Sequence, residues 1–267
     1  MNFAKLKEFL SGFRKNHSLP FKCPYCENFS LRLKHDSWYQ YDSSKYDDVQ
    51  EWVEPENYVF YQYLAIYRCE ESHCLQEIMS SGTGDVTVDI EVDGNDEQHV
   101  LRYDIFKPKF FSPSLHFFEI PKNTPEKIKD LIVLSFSLVL QSPAAAVNSL
   151  RSTVEEILAD HGIQKNQAKA LHKRIEEDVP QNTKLKDFEK LLMAIKWLGN
   201  SGSHGDTIDL DHILYVYEVL KLILDSLYVE DRSQYLNAVA QATNLVKRAL
   251  RPEELSKIPK VEKDSTD

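Results

Sequence analysis

The spacing of apolar residues changes near position 120 of this 267-residue chain. Before that point apolar residues occur in short runs and alternations typical of β-strands. From Thr124 onward they recur every three or four positions, as on one face of an α-helix. The pattern predicts an α+β fold, in which a small β module over residues 1–120 precedes a bundle of helices over residues 121–250. Residues 251–267 are charged and lack apolar periodicity, so we expect a disordered tail.

The β module is predicted to open with an amphipathic helix and then to combine strands with irregular segments. Phe3, Leu6 and Phe9 fall on one face of this helix. Alternating residues on either side of Asp93-Gly94-Asn95 predict a hairpin, which follows a Ser-Ser-Gly-Thr-Gly run at 80–84. The predicted segments are a helix at 2–13, an irregular acidic insertion at 36–56, a strand at 57–68, the hairpin at 85–106 and a proline-rich connector at 107–121.

Six helices are predicted after the connector. The first has Thr124 as its N-cap and Pro125 at its first position, and Gly162 stands where the second should end. The first and fifth helices are apolar enough to be buried in the bundle or to form the interface of a helical homodimer. The predicted helices lie at 125–140, 142–161, 165–178, 184–198, 208–228 and 233–250.

The formal net charge of −10 is concentrated in one part of the chain. Residues 1–22 contain five basic residues and one acidic residue, whereas residues 23–100 contain four basic and seventeen acidic residues. Because duplex-binding proteins present a basic surface to the phosphates, we do not expect residues 36–97 to bind duplex DNA. The sequence has no apolar run of membrane-spanning length and its N-terminus does not resemble a signal peptide, so we expect a cytoplasmic protein without membrane contact.

The four cysteines form two close pairs, Cys23-x-x-Cys26 and Cys69-x-x-x-x-Cys74. In a cytoplasmic chain this pattern favours a metal site over disulfide bonds. Two turns that each supply two thiolates suit the tetrahedral coordination of Zn²⁺, and four sulfur ligands leave no open position for water or substrate. We therefore expect a structural zinc ion. The alternatives are reduced thiols, a redox pair, or a site in which His73 replaces Cys74.

Two pairs of polar residues with i, i+4 spacing interrupt the helical pattern. Arg151 and Glu155 border the apolar stripe of the second predicted helix, where they could form an ordinary ion pair. Asn200 and His204 follow Gly199 in the stretch I-K-W-L-G-N-S-G-S-H-G, where we expect the helix to end and these residues to cap it. From the residues alone, a structural role is favoured over a catalytic one for both pairs.

The stretches A-A-A-V-N-S-L-R-S-T-V-E-E-I-L and I-K-W-L-G-N-S-G-S-H resemble the family known as domain of unknown function 4145. Arg151 and Glu155 form its upstream R-x-x-x-E motif, and Asn200 and His204 its G-N-x-x-x-H motif. The resemblance covers residues 120–230 well and the cysteine module more loosely. That family is grouped with the HEPN superfamily of helical bundles and occurs alone or attached to restriction-type proteins. The resemblance thus implies a HEPN-like bundle behind a zinc-ribbon-like module, in a prokaryotic setting of antiviral defence.

Many HEPN proteins are metal-independent ribonucleases, and the resemblance implies which residues would act on RNA here. Their motif is an arginine followed four to six residues later by a histidine, which supply a cation for the phosphorane and an acid or base. Asn200 and His204 match the second half of the motif, but none of residues 197–199 is an arginine, and Lys196 is one position too far. Arg151 could supply the missing cation, from the same chain or from the partner chain of a homodimer.

Two functions are compatible with these features. In the first, the helical domain is a non-catalytic binding or accessory module that holds a partner protein or small ligand through Arg151, Asn200 and His204. The missing motif arginine and the acidic charge favour this reading. In the second, the domain is a HEPN-type endoribonuclease that uses His204 together with Arg151. A third reading takes the acidic residues of 36–97 as a bait for basic proteins, but a solvated surface insertion is the favoured account of them.

Overall fold

The computed structural model describes residues 3–15, 17–44, 59–92, 98–201 and 208–229. The chain divides into two compact units. The N-terminal unit comprises residues 1–119 and 133–146, and the helical unit comprises residues 120–132 and 147–267. The architecture is mixed α+β, as the sequence predicts, with an antiparallel sheet in the N-terminal part and helices after it.

The N-terminal unit is built on an antiparallel sheet of five strands within the described residues. Its elements are α1 (Phe3–Ser11), β1 (Leu31–Leu33), β2 (Tyr39–Asp42), β3 (Phe60–Cys69), β4 (Glu77–Val92) and β5 (Gln98–Ser112). The strand order is β1-β3-β4-β5, and β2 pairs with β3 as well. β1 lies opposite residues 67–69 of β3, and β2 lies opposite residues 61–64. The helix predicted at 2–13 is confirmed over Phe3–Ser11, whereas Phe13 forms a bridge with Phe106, and the described parts of the strand at 57–68 and of the hairpin are confirmed.

Aromatic side chains form the core of this unit. Phe13 is 3% exposed and stacks against Phe9 with ring centroids 4.5 Å apart. Trp38 lies parallel to Tyr63 at 4.8 Å, and Phe106 meets Trp38 edge-on at 4.7 Å. Such ring pairs contribute about 0.5–1.5 kcal/mol each beyond the burial of their area. The core therefore links α1 to β3 and β5.

Two predictions about the strands are wrong. The insertion at 36–56 is not irregular throughout, because Tyr39–Asp42 pairs with β3. The predicted connector at 107–121 begins as strand, because β5 continues to Ser112. Proline has a low strand propensity, so the sequence pattern missed this end of β5, and the hydrogen bonds to β4 override that propensity. The glycine- and serine-rich run at 80–84 lies within β4.

Gly82 explains why β4 can pass through a glycine-rich run. The register between β4 and β5 shifts at this residue. A Cβ built on Gly82 would lie 2.2 Å from the carbonyl oxygen of Lys107, which is closer than a side chain can approach a backbone atom. Glycine is therefore required here by the close approach of two strands, and not by a turn.

Pro108 lies in β5, an edge strand of the described sheet. Phe106, two residues earlier, exchanges two backbone hydrogen bonds with Phe13, at 2.9 and 2.8 Å, on the side of β5 away from β4. Because backbone groups two residues apart point to the same side of a strand, the ring nitrogen of Pro108 also faces away from β4. No hydrogen bond of the sheet is lost, and this is the position in which strands tolerate proline.

Five further α-helices follow among the described residues, and none of the described helices is both long and apolar enough to cross a membrane. The predicted helices at 125–140, 142–161 and 208–228 are confirmed, and the one predicted at 184–198 is found five residues later at its start. The bounds of the five observed helices are Glu126–Leu138 for α2, Pro143–Asp160 for α3, Leu171–Lys173 for α4, Glu189–Ser201 for α5 and Leu210–Tyr228 for α6. The buried stripe of α6 comprises Ile213, Leu214, Val216, Tyr217, Val219, Leu220, Ile223 and Leu224.

Gly162 ends α3 as predicted. Its φ of +87° is the left-handed conformation that glycine adopts without strain. The N–H of Ile163 donates to the carbonyl of Leu158 at 2.8 Å, and the N–H of Gly162 donates to the carbonyl of Ala159 at 3.0 Å. These two bonds form a Schellman motif, which satisfies carbonyl groups that the end of a helix otherwise leaves free.

The helix predicted at 165–178 is wrong in its first half. Within residues 163–170 the Oδ1 of Asn166 accepts a hydrogen bond from the N–H of Ala168 at 2.9 Å, which forms a local turn instead of a helix. The helical segment starts with α4 and widens into a π-helical turn at Arg174–Asp178. Such turns are rare and often occur at functional sites.

Five predictions concern residues outside the described part of the chain. They are the hairpin tip at 93–95, most of the acidic insertion (45–56), His204, the helix at 233–250 and the tail at 251–267.

The close approach at Gly82 predicts a large effect for a small substitution. We expect Gly82→Ala to lower the free energy of unfolding by about 3 kcal/mol, because the methyl group forces β4 away from β5. Urea denaturation measures the change. Ser81→Ala, in the same strand, is the control and should change stability by less than about 0.5 kcal/mol. Equal effects of the two substitutions would contradict this account of the glycine.

Candidate functional site

The four cysteines lie in two short loops of the N-terminal unit, and none of them forms a disulfide bond. Cys23 and Cys26 belong to the turn before β1, whereas Cys69 is the last residue of β3 and Cys74 lies in the turn that leads to β4. The pairing of β1 with β3 places Leu31 opposite Cys69. This pairing therefore places the loop of Cys23 and Cys26 next to the loop of Cys69 and Cys74.

Both loops share one backbone plan despite their different lengths. In each loop the N–H of the first cysteine donates to the carbonyl of the residue two positions after the second cysteine. The bond from Cys23 to Asn28 is 2.8 Å long, and the bond from Cys69 to Gln76 is 2.9 Å long. Each loop is thus closed on itself by a backbone hydrogen bond at its first cysteine.

The residue directly after the second cysteine has a positive φ in both loops. The φ angles are 61° at Glu27 and 51° at Leu75. This left-handed conformation costs a residue with a side chain roughly 1–2 kcal/mol, and glycine usually occupies it. The reversal of the chain at these positions turns each loop back toward its first cysteine.

The sulfur atoms are arranged as the ligands of one metal ion would be. The Sγ of Cys23 lies 3.7 Å from that of Cys74, the Sγ of Cys26 lies 3.6 Å from that of Cys69, and all four lie within 4.8 Å of one another. A tetrahedron with metal–sulfur bonds of about 2.3 Å has edges of about 3.8 Å, whereas a disulfide bond is about 2.05 Å long. The cluster therefore fits a bound metal ion. His73 is exposed and outside the cluster, which Cys74 completes.

Ser30 supports the cluster from outside. Its Oγ lies 3.0 Å from the Sγ of Cys69, and the residue is 8% exposed. Burial opposes ionisation of Cys69, but hydrogen bonds from Ser30 and from the backbone of Glu71 outweigh it and lower the pKa of this thiol to about 7. At Cys23 burial dominates and raises the pKa of the thiol to about 12. A bound metal ion overrides such differences, because the thiolate is the form that coordinates it.

In the helical unit, Arg151 lies against the start of the G-N-x-x-x-H motif. Helix α5 continues through Gly199 to Ser201, three residues past its predicted end at 198, and the capping expected of Asn200 and His204 concerns side chains outside the described residues. A Cβ built on Gly199 would lie 3.0 Å from the Cβ of Arg151 and 3.4 Å from its Cδ. The glycine thus allows α3 and α5 to approach closely, with the side chain of Arg151 across it.

Lys196 is a second cation at this place. Burial, and then repulsion by the charge of Arg151, lower the pKa of the Lys196 ammonium group. The Nε of Arg151 is buried and has no hydrogen-bond partner among the described residues. Arg151 and Lys196 are thus neighbouring cations, and the buried N–H at Nε of Arg151 lacks an acceptor. A bound anion would stabilise this arrangement.

Glu155 forms its ion pairs with other residues than Arg151. Its carboxylate lies 3.6 Å from the Nη2 of Arg174 and 3.3 Å from the Nζ of Lys165. Arg174 is 2% exposed, and its Nε and Nη1 lack partners within the described part of the chain. Glu155 therefore compensates a buried positive charge, which would be costly to leave unpaired.

The structure describes half of the predicted polar site. Arg151 and Glu155 are described, whereas the side chain of Asn200 and all of His204 lie outside the described residues. The geometry thus brings an arginine to the backbone of the motif and leaves the position of the histidine open.

Sequence reasoning missed Arg174. This residue stands on the apolar stripe of its segment, three positions after Leu171 and directly before Ile175, and all three are buried. A cation on an apolar stripe is uncommon, since buried charges need partners. That signal could have identified Arg174 from the sequence.

Two family models match separate parts of the chain. Residues 11–111 match a family described as Domain of unknown function (DUF8608). Residues 135–256 match a family described as Domain of unknown function (DUF4145), which confirms the resemblance found in the helical part. The cysteine module therefore matches a different family from the one that it was expected to share loosely. No curated protein and no solved structure matches the chain.

The positive φ at Leu75 predicts that glycine is the more stable residue at this position. We expect the free energy of unfolding of Leu75→Gly to exceed that of Leu75→Ala by about 1 kcal/mol, so that the glycine variant unfolds at a higher temperature. Both variants remove the same exposed leucine side chain, but Leu75→Ala keeps the conformational strain. Thermal unfolding followed by circular dichroism measures the difference. A glycine variant no more stable than the alanine variant would show that the conformation carries no strain.

Proposed function

We propose that this is a cytoplasmic, defence-associated protein of a prokaryote, and that its helical unit is a non-catalytic binding or accessory module. The setting rests on the resemblance to a family that occurs alone or attached to restriction-type proteins. The match over residues 135–256 supports that resemblance. On the same ground we propose a HEPN-like bundle that binds a partner protein or a second copy of the chain.

The observation that carries this proposal is the pair of cations at Gly199. Arg151 lies across the glycine with its Nε buried and unpaired among the described residues, and Lys196 is close enough for the two charges to repel. Cations of this kind bind phosphate or carboxylate groups, and the guanidinium can do so with two parallel hydrogen bonds. Recognition of an anionic group on a ligand or partner is the function that this arrangement supports best.

We also propose that the four cysteines hold a structural Zn²⁺ ion in a zinc-ribbon-like module. Sulfur–sulfur distances of 3.6 and 3.7 Å suit the tetrahedral thiolate sites of zinc. With four thiolates bound, the ion has no position for a substrate and supplies folding free energy to the two loops. The hydrogen bond from Ser30 to Cys69 and the backbone bonds that close each loop would hold the ligands in place.

The alternative function is a metal-independent endoribonuclease. One observation favours it: Arg151 reaches Gly199, the residue before Asn200, and so lies close to the place where the motif lacks its arginine. In this reading Arg151 stabilises the charge on the phosphorane, and His204 transfers the proton between the attacking 2′-hydroxyl and the leaving 5′-oxygen.

The proposed zinc site predicts a metal content of one ion per chain. We expect native mass spectrometry and elemental analysis to find one Zn²⁺, and Cys69→Ser to lose it together with the folded N-terminal unit, because structural zinc contributes on the order of 10 kcal/mol. His73→Ala is the matched control, since it removes a possible ligand from the same loop but lies outside the cluster. Retention of zinc by Cys69→Ser, or its loss from His73→Ala, would contradict the assignment.

The binding proposal predicts that Arg151 is needed to hold an anion. We expect pyrophosphate to raise the unfolding temperature of the wild type, and we expect Arg151→Gln to reduce that rise by more than half, because it removes the bidentate donor. Lys184→Gln, which removes an exposed cation of the same unit, should keep the response of the wild type.

Incubation with single-stranded RNA, without added divalent ions, distinguishes the alternative function. The binding module leaves the RNA intact, as do Arg151→Ala and His204→Ala. RNA cleavage by the wild type that both substitutions abolish would contradict the non-catalytic proposal and establish the ribonuclease.

A further inference from the structure

The N-terminal unit contains an open cavity of about 820 Å³ beside α1, and none of the four cysteines lines it. Its floor is apolar, because Phe9, Phe13 and Leu19 line it and are only 3–4% exposed. Its volume falls within the range of roughly 300–1,000 Å³ that is usual for sites of small organic ligands. An apolar floor of this size can hold a ring system.

The rim of the cavity is positively charged. Lys5, Arg14 and Arg32 line it together with His17, and Glu8 is the sole carboxylate among the lining residues. This excess of cations occurs in a chain whose formal net charge is −10. A concave site lined by one sign of charge concentrates ligands of the opposite sign. The cavity is therefore suited to an anion.

The arginines are held in place and keep donors for a ligand. The guanidinium of Arg14 lies over the ring of Tyr103, 3.7 Å from its centroid. Stacking uses the face of the guanidinium and leaves the N–H groups at its edge available. Arg32 donates from Nη1 to the carbonyl of Leu31 at 3.1 Å, and its Nε is 3.9 Å from the carboxylate of Glu70, which is too far for a strong hydrogen bond.

The chain segment that carries these residues is fixed to the sheet. Phe13 exchanges two backbone hydrogen bonds with Phe106, at 2.9 and 2.8 Å, directly before Arg14. At Gly12 an added Cβ would lie 2.4 Å from the Cγ2 of Ile105, another lining residue, so the segment and β5 are in close contact. The cavity is thus formed without a ligand, which lowers the entropic cost of binding.

Phe29 provides an aromatic surface at the same cavity. It lines the cavity and is 54% exposed, although large aromatic residues are usually buried. The nearest cation over its ring, the Nζ of Lys22, is 6.0 Å from the centroid and forms an ion pair with Glu119 at 2.8 Å. An exposed ring beside several cations is the combination with which proteins stack a nucleobase and bind its phosphates.

We infer that this cavity binds a nucleoside polyphosphate, with its phosphates at Lys5, Arg14 and Arg32 and its base against Phe29. The surrounding charge decides between a small nucleotide and a nucleic acid. Glu8 lines the cavity, and the carboxylate of Glu70 lies 3.9 Å from the Nε of Arg32, so a polyanion that extends past the cations meets like charge. A nucleotide of two or three phosphates is short enough to stay at Lys5, Arg14 and Arg32, where cations outnumber the single carboxylate of Glu8.

Isothermal titration calorimetry of the full, metal-loaded chain tests the inference, with ATP as the probe. We expect one binding site per chain, and Lys5→Gln and Arg14→Gln should each weaken binding roughly tenfold, the effect of losing one charge-assisted hydrogen bond. Lys7→Gln is the matched control, because it removes the same charge from the same helix but does not line the cavity. Arg151→Gln should leave the affinity for ATP unchanged, which separates this site from the proposed one in the helical unit.

Three further titrations separate the role of the base from that of the phosphates. They use the Phe29→Ala variant, adenosine and inorganic triphosphate. We expect Phe29→Ala to weaken ATP roughly tenfold, as stacking of one base implies, and to leave the affinity for triphosphate unchanged. Adenosine should bind at least tenfold more weakly than ATP. The inference is overturned if ATP binding does not saturate, if Lys7→Gln weakens it as much as Lys5→Gln, or if triphosphate binds as tightly as ATP. A ten-nucleotide single-stranded RNA that displaces ATP at a lower concentration would assign the cavity to nucleic acid instead.

Discussion

The three-residue pairing between β1 and the end of β3 is the contact on which the N-terminal unit depends. It places Leu31 opposite Cys69 and thereby joins two cysteine loops that are far apart in the sequence. A ladder of three residue pairs is too short to be stable alone. The metal ion proposed for the sulfur cluster would join the same two chain segments, and the cost of closing the long intervening loop grows only slowly with its length. Strand pairing and thiol cluster therefore depend on each other.

Glycine shows most clearly how much of the fold could be predicted from the sequence. Gly162 and Gly199 both stand where the sequence predicts the end of a helix, and only Gly162, whose φ is positive, ends one directly. At Gly82 and Gly199 the strand and the helix continue, and the missing side chain makes room for Lys107 or Arg151. The two roles have the same local signature, because the sequence does not show which element packs against the glycine. Long helices with strong apolar periodicity, such as α3 and α6, were predictable because burial of one face determines them.

The two candidate sites differ in predictability for a related reason. The cysteine cluster could be predicted because each pair of cysteines lies in one loop of a few residues. Two such loops can bring four thiols together in few arrangements, and a shared metal site is one of them. The polar residues of the helices are different. Spacing allowed Arg151 to pair with Glu155, yet the tertiary fold supplies Arg174 and Lys165 to that carboxylate and leaves Arg151 beside Lys196. Sequence separation identifies neighbours on one helix, but a charge is compensated by whichever chain segment packs nearby.

The course of β5 past Pro108 has a consequence for how the protein behaves at high concentration. Free strand edges are templates on which another molecule can add a strand, and such addition leads to aggregation. On the outer edge of β5 the backbone groups of Phe106 are already bonded to Phe13, and Pro108 has no N–H to offer. Lys107 and Lys109 flank the proline with positive charge. Over this stretch the sheet is closed to a neighbouring molecule, so the protein can keep a long edge strand without forming fibrils through it.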